Sequence, residues 1–338
     1  MNDLFDLDSG REKFMKRINL IDPVVVVHDD MKVAVNGIKD CILWSRSSSE
    51  PVGAVLTGVG GAGKSTLSQS FVDAFPRFDR DYGDRTVNIV PAFYAKIPPS
   101  ATPKSTASAL AKAVGDPKYK RGSEKEITER FVKILETCET EIIFLDEFNH
   151  LKLKGTTFGK NVCKWIKTLI DATSIVICLV GTPDCLDLLE SDEQLARRFA
   201  RRFSLGMLVA GDEKLGKSLD SYLIEYIDEC KKKIGISEMP DFSSYVYVWR
   251  ICLATRGIPG FITLLIKEAC LNALSSGRDS LTMEDLAAAF DKGITSSVAL
   301  TPPGVNPFRL SDARVKEAYM EQARDERSPI GSSKSICG

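Results

Sequence analysis

Gly58-Val59-Gly60-Gly61-Ala62-Gly63-Lys64-Ser65, followed by Thr66, decides how this 338-residue chain is read. The stretch follows an apolar run, Val52, Ala54, Val55 and Leu56, and precedes Leu67-Ser68-Gln69-Ser70-Phe71. A glycine-rich turn therefore stands between a buried strand and a helix N-terminus. Glycines 58, 60, 61 and 63 let backbone N–H groups converge on phosphate oxygens, with Val59, Ala62 and Thr66 completing the cradle. The Lys64 ammonium adds positive charge at the β- and γ-phosphates, and the Ser65 hydroxyl offers itself to Mg²⁺. ATP with Mg²⁺ is the expected ligand. A linker that happened to contain Lys-Ser would not need the strand before it and the helix after it.

Working outward, Ile142-Ile143-Phe144-Leu145 is a continuous apolar run, the mark of a strand buried on both faces. Asp146 and Glu147 leave its C-terminal end, where open α/β sheets bind their ligands. Asp146 is expected to hold Mg²⁺ with Ser65, and Glu147 to orient and deprotonate the water that attacks the γ-phosphate. Taken alone, an acidic pair after a strand is as readily a helix cap. Roughly 80 residues after a phosphate loop, the catalytic reading is the stronger. Thr182, closing the next buried strand Ile175 to Val180, could reach the γ-phosphate or the water, or cap the helix that Pro183 begins; the two are compatible.

Thr86 to Ala92 and Phe203 to Val209 read as further strands, and Ser105 to Val114, Glu124 to Glu136 and Asn161 to Ala172 as helices. Strands alternating with helices predict an α/β P-loop fold, a parallel five-stranded sheet flanked by helices. From Asp212 the pattern turns wholly helical (Leu215, Leu219, Tyr222, Leu223, Tyr226, Ile227), which predicts a small helical lid domain. The expected division is an N-terminal extension at 1–50, an ATPase core at 51–211, the lid at 212–294 and a flexible tail at 295–338, with no solenoid repeat.

A net charge of −1 gives no overall attraction to nucleic acid, so any such contact must come from a local basic surface. The acidic N-terminus has no signal-peptide pattern, and no run approaches the ~18 apolar residues of a membrane span. The expectation is a soluble, cytoplasmic protein with no membrane partner. Nine scattered cysteines without a C-x-x-C pair suit reduced, buried thiols. With only His28 and His150, histidine-based metal or triad chemistry is not expected.

Two groups of basic residues carry alternatives. Arg197, Arg198, Arg201 and Arg202 recur at a four-residue interval, which on one helix gives a common side. That is either a solvated basic face or an arginine finger completing a neighbouring subunit's site, for which a planar guanidinium is suited. Lys104, Lys118, Lys120, Arg121, Ser123 and Lys125, with Lys152, Lys154 and Lys160, are either solubilising or a set of DNA-phosphate contacts.

The ordered series Gly-Ala-Gly-Lys-Ser-Thr, Phe144-Leu-Asp-Glu-Phe-Asn-His-Leu151, Leu179-Val-Gly-Thr-Pro183, Asp192-Glu-Gln-Leu-Ala-Arg-Arg-Phe199 and Thr255-Arg-Gly-Ile-Pro-Gly260 resembles an AAA+ ATPase of the TniB/TnsC group of transposition regulators. The resemblance runs over about residues 20 to 292. It implies an ATP-dependent protein that assembles on double-stranded DNA, marks the target and recruits the transposase, in some relatives under a CRISPR-associated target-selection complex. It also implies a homo-oligomer, a ring or filament of about six or seven subunits. In that group a lysine after the second strand and a polar residue before the next helix track one DNA strand, and the matching positions are Lys104 and, within Lys120-Arg121-Gly122-Ser123, Arg121 with Ser123. Arg198, just before Phe199, matches the finger position better than Arg197. One departure stands out: Gly260 and Phe261 occupy the place where many AAA+ proteins carry a small-domain arginine, with Arg256 nearby. The competing reading is a nucleotide-switched signalling or secretion ATPase that acts on proteins and never touches DNA.

Overall fold

The structure is a computed structural model that describes residues 12–47, 52–99, 101–151, 156–211 and 219–327. Lys152 and Lys154, the expected lid boundary at 212 and the last residues of the expected tail, 328–338, lie outside them. The chain forms two compact units, residues 30–206 and residues 1–29 with 207–338. Helix α1 (Glu12–Ile18) belongs to the second; the first is opened by α2 (Asp29–Ser47).

In the first unit the chain continues through β1 (Ala54–Gly58), α3 (Lys64–Asp73), β2 (Phe78–Asp81), β3 (Thr86–Ile89), β4 (Ala92–Lys96), α4 (Pro103–Val114) and α5 (Glu124–Thr137). After these come β5 (Ile142–Asp146), α6 (Thr156–Ala172), β6 (Val176–Gly181), α7 (Leu186–Glu190), α8 (Glu193–Arg198) and β7 (Arg201–Leu205). Five strands form one sheet in the order β4-β5-β6-β1-β7, every pairing parallel. Because strand side chains alternate, Leu56, Ile142, Phe144, Val176, Cys178 and Val180 pack with Ile38 of α2 and Leu67 and Phe71 of α3. Val55, Ile143, Leu145, Ile177 and Leu179 pack on the other face with Leu110, Phe131 and Ile166 of α4, α5 and α6. Each large apolar side chain removed from water in these layers stabilises the fold by about 1.5–3 kcal/mol.

Four expectations are corrected. Residues 30–47 are no extension: Met31, Ala34, Ile38, Cys41 and Ile42 make α2 a layer of the sheet's core. The expected strand Thr86 to Ala92 divides, because Pro91 has no N–H to give to a ladder. Thr86–Ile89 pairs antiparallel with β2 in a separate hairpin, while Ala92–Lys96 joins the main sheet. The last strand begins at Arg201, before Phe203, so Arg201 and Arg202 lie on β7 and share no helix face with Arg197 and Arg198. Phe199, fully buried, leaves the helical region at φ −104 and ψ 42 and turns the chain into that strand.

The second unit packs α1 with α9 (Leu219–Ile234), α10 (Tyr245–Thr255), α11 (Pro259–Ser275), α12 (Met283–Asp291) and α13 (Asp312–Arg327). Helix α12 opens with a reciprocal capping box between Thr282 and Asp285. The turn into α11 requires Gly257, at φ 66, where a Cβ would lie 1.9 Å from the Leu208 carbonyl oxygen. The fourth correction is the flexible tail. Arg250, buried, donates to the Pro307 carbonyl at 2.5 Å and to Asp312 at 2.7 Å, the Tyr319 hydroxyl donates to the Ala210 carbonyl, and its ring stacks on Trp249. Helix α13 is part of this unit's packing.

No helix among the described residues is by itself long and apolar enough to cross a membrane. Burial pushes the thiols of Cys163 and Cys230 up to about 12, as expected of inert core cysteines.

Candidate active site

Strand order brings the chemistry together. With β6 between β5 and β1, the phosphate loop, Thr182 and the Asp146-Glu147 pair all leave C-terminal strand ends along one edge of the sheet. The loop folds as its composition dictates. Gly63 is the left-handed N-cap of α3 at φ 93, and a Cβ there would lie 2.6 Å from Met31 Cε. Gly60 faces open space, which leaves the loop's backbone free to be approached. Lys64, Ser65 and Thr66 form the first turn of α3, where N–H groups lack intrahelical acceptors and favour anions. Lys64 Nζ donates to the carbonyls of Gly58 at 2.8 Å and Val59 at 2.9 Å. Burial pushes this ammonium below its ordinary pKa, with the carboxylates of Asp146 and Glu147 opposing the shift.

Asp146 is 3% exposed and fully engaged. Its Oδ2 accepts from Ser65 Oγ at 2.6 Å and from the Tyr94 hydroxyl at 2.5 Å, and its Oδ1 accepts from the Glu147 N–H at 2.7 Å. Burial, then the bond to Asp146, pushes the Tyr94 phenol well above its ordinary value, so it stays a neutral donor. The Ser65 hydroxyl donates to Asp146 and keeps its lone pairs. Oxygen donors of this kind fit Mg²⁺, which retains several waters and takes few protein ligands. No group of three or more His, Cys, Asp or Glu residues able to hold a metal occurs among the described residues.

Glu147 has φ 62, an uncommon conformation for a residue with a Cβ. Asn149 Nδ2 donates to its Oε2 at 3.4 Å, and His150 Nε2 lies 3.7 Å from the same oxygen. Thr182 precedes the turn Pro183–Cys185, but its hydroxyl donates to Asp184 and makes no cap bond to the backbone. Gly181 beside it is in close approach to Asn149, whose Oδ1 would be 3.3 Å from a Cβ there.

Arg198 is not brought to this edge. Its carbonyl accepts from the Gly53 N–H, which places it at the N-terminal end of β1, about 15 Å of strand from the phosphate loop. Its guanidinium pairs with Asp171 at 2.9 Å.

The expected nucleic-acid residues stand at the start of α4 and in the loop before α5. Lys104, in the first turn of α4, Lys120, Arg121 and Ser123 are all exposed. Ser123 caps α5: its hydroxyl and N–H both donate to Glu126 Oε2, at 2.8 and 2.7 Å. These bonds hold the Glu126 carboxyl below the usual carboxylate range, with the Arg130 guanidinium and then the Lys104 ammonium adding to the effect, and α4 and α5 pack against each other. The loop between them is fixed by Arg130, which pairs with Asp116 at 2.8 Å and donates to the carbonyls of Lys118 and Arg121. In the other unit, Arg256 adopts a left-handed C-cap conformation, and its Nε is buried with no hydrogen-bond partner among the described residues.

The residues that sequence reading did not single out are Tyr94, Asn149 and His150. Tyr94 left a faint signal, a polar tip within an apolar strand. His150 is one of only two histidines and sits within a motif already marked as catalytic.

Solved structures share this architecture. The Aeropyrum pernix ORC2 protein, in ADPNP and ADP complexes, superposes with a TM-score of 0.58 at 14% identity over 81% of this chain and 71% of that one. The Aeropyrum pernix ORC1 protein in complex with DNA gives 0.58 at 15% identity over 91% and 87%. The Cdc6p protein of Pyrobaculum aerophilum gives 0.55 at 15% over 82% and 70%. At such identities the likeness is one of fold, that of an AAA+ P-loop ATPase. No curated protein matches the sequence. The profile of the family described as "Bacterial TniB protein" matches residues 17–205, more than half of the chain. A phosphate loop, an acidic pair and an AAA+ core thus coincide with that match, and the chain belongs to the TniB family as an AAA+ ATPase.

Proposed function

We propose that this protein is an Mg²⁺-dependent, regulatory ATPase of DNA transposition, whose nucleotide state sets its assembly on double-stranded DNA. The observation that carries the reading is that Lys104, in the first turn of α4, and Lys120 and Arg121, just before the Ser123 cap of α5, are exposed basic residues at the starts of two helices that pack together in the ATPase core. The family membership and the DNA complex of the ORC1 neighbour support the same direction. Lys104, Lys120 and Arg121 would contact phosphates, giving salt-sensitive binding largely indifferent to sequence.

At the catalytic edge, the loop from Gly58 to Thr66 binds the nucleotide phosphates. Ser65 and Asp146 would hold Mg²⁺, which when bound neutralises charge on the phosphates. Glu147 orients the attacking water and takes its proton, and Thr182 stands at the γ-phosphate side. Arg198 lies too far along β1 to serve its own loop and acts instead on a neighbouring subunit's nucleotide, leaving Asp171 on assembly into a ring or filament. The assembled protein marks target DNA and recruits the transposase, with a target-selection complex, CRISPR-associated in some relatives, as the upstream partner.

A gel shift with linear duplex tests the central step. Wild-type protein with a non-hydrolysable ATP analogue should bind, and a Lys104→Ala/Arg121→Ala variant should bind at least about tenfold more weakly, with a shallower dependence on salt. Unchanged affinity would favour an ATPase that acts on protein partners alone.

A further inference from the structure

We propose that Tyr94 is a positioning residue for the divalent cation: its hydroxyl fixes the Asp146 carboxylate in the orientation that Ser65 and the metal use, and so sets how tightly the nucleotide-bound site holds Mg²⁺. The inference rests on the Mg²⁺-dependent ATPase reading above and adds a residue from outside the phosphate loop and the acidic pair.

Sheet register explains why a tyrosine stands here. In the parallel pairing of β4 with β5, Tyr94 lies opposite Phe144 and Lys96 opposite Asp146. Tyr94 and Asp146 therefore share a face of the sheet and are offset by two residues, about 6.6 Å of strand. A phenol spans that offset, and the short hydroxyl of serine or threonine would not. The ring is half-buried and packs with the cluster that contains Phe71 and Phe144, whereas the hydroxyl donates to Asp146 Oδ2 at 2.5 Å. Packing and hydrogen bonding are thus separable properties of this one side chain.

The carboxylate it meets takes three donors at once. Oδ2 accepts from Tyr94 and from Ser65 Oγ, the latter at 2.6 Å, and Oδ1 accepts from the Glu147 N–H at 2.7 Å. Bonds to both oxygens fix the plane of a group that is 3% exposed. Ser65 depends on that plane. A serine hydroxyl has one proton and two lone pairs, so the lone pairs are left for a metal only while the proton is engaged by Asp146. Without the phenol, Oδ2 loses one of its two donors, the carboxylate is freer to turn about Cβ–Cγ, and the Ser65 hydroxyl loses its direction. Outer partners of this kind commonly change metal affinity by about 10- to 100-fold.

The competing explanation is that the Tyr94 hydroxyl contributes to folding alone. Tyr94→Phe keeps the ring and removes the donor. Binding of a fluorescent, non-hydrolysable ATP analogue is measured in EDTA and against free Mg²⁺, beside ATP turnover over the same Mg²⁺ range and the thermal unfolding midpoint.

The proposal predicts that affinity in EDTA stays within about twofold of wild type, and that the free Mg²⁺ at half-maximal response, in binding and in turnover, rises by about tenfold or more. Saturating Mg²⁺ should return turnover to within about threefold of wild type, the split expected when the ion's affinity and not the chemical step is altered. A folding role alone would lower the unfolding midpoint and leave the Mg²⁺ dependence unmoved. An unchanged Mg²⁺ midpoint in folded Tyr94→Phe overturns the proposal and leaves the ATPase reading standing. A midpoint that falls also overturns it, since the hydroxyl would then compete with the metal for Asp146. If Tyr94→Phe fails to fold, Tyr94→Met, which also lacks the donor, carries the same test. A wild-type protein whose nucleotide binding and turnover are indifferent to Mg²⁺ contradicts the Mg²⁺-dependent reading, and the proposal falls with it.

Discussion

Arg198 is paired with Asp171 at 2.9 Å, at the end of the sheet opposite the phosphate loop. A cation that far from its own nucleotide affects hydrolysis only through a second copy. Arg198→Ala should therefore leave nucleotide affinity of the isolated chain within about twofold, and lower turnover of the DNA-bound assembly by about 10³-fold. Arg198→Lys should not restore it, since a point charge does not replace a planar fork. Turnover measured across a range of protein concentrations checks this: a loss that is equal at all concentrations would place Arg198 in its own site.

Lys64→Ala removes the one ammonium in the phosphate loop. A charge-assisted hydrogen bond contributes about 1.5–3 kcal/mol, so ATP affinity should fall by about 10- to 150-fold. Titration with a fluorescent ATP analogue reads this directly.

Glu147→Gln keeps the shape of the side chain and removes its basicity. Nucleotide binding should survive, and hydrolysis should drop by about 10²- to 10⁴-fold. Single-turnover kinetics with pre-bound ATP separates the two; hydrolysis at the normal rate would show that another group takes the proton.

Acid should weaken the helical unit through Asp285. Burial raises the pKa of this carboxyl, but bonds from Arg278 and Thr282 outweigh it, and the folded value lies below the ordinary one. A depressed carboxyl stabilises the fold fully above its unfolded value of about 3.9, and that contribution is lost as pH falls from there through the folded value. Asp285→Asn should lower the unfolding temperature at neutral pH and lose less stability than wild type over the window in which pH falls below about 4. Parallel losses in the two proteins over that window would remove Asp285 from the acid response.

What could be read from the sequence was what is local in it. The phosphate loop lies within consecutive residues, and Ile142 to Leu145 is apolar at every position because both its faces are covered. The helices at 105–114 and 124–136 were legible from their period, and the structure adds the capping boxes at Thr102 and Ser123 that open them. What escaped depends on pairings between distant residues. Tyr94 meets Asp146 only because β4 is the neighbour of β5, a fact of sheet order. Residues 30–47 were expected to be part of an extension, because nothing local says that the apolar face of α2 covers the main sheet. The segment after 295 reads as polar and proline-rich, and nothing local reveals that Arg250 fixes Pro307 and Asp312. The regular spacing of the four arginines was misleading for the same reason: Phe199 is drawn into the core and ends the helix between the two pairs.

The central claim, nucleotide-controlled assembly on DNA, is tested most directly by electron microscopy of the full chain with linear duplex, Mg²⁺ and a non-hydrolysable ATP analogue. The account predicts rings or filaments along the duplex that disappear when the analogue is omitted or Lys64 is replaced by alanine. Dispersed monomers under all conditions, or identical decoration of the duplex with and without nucleotide, would contradict it.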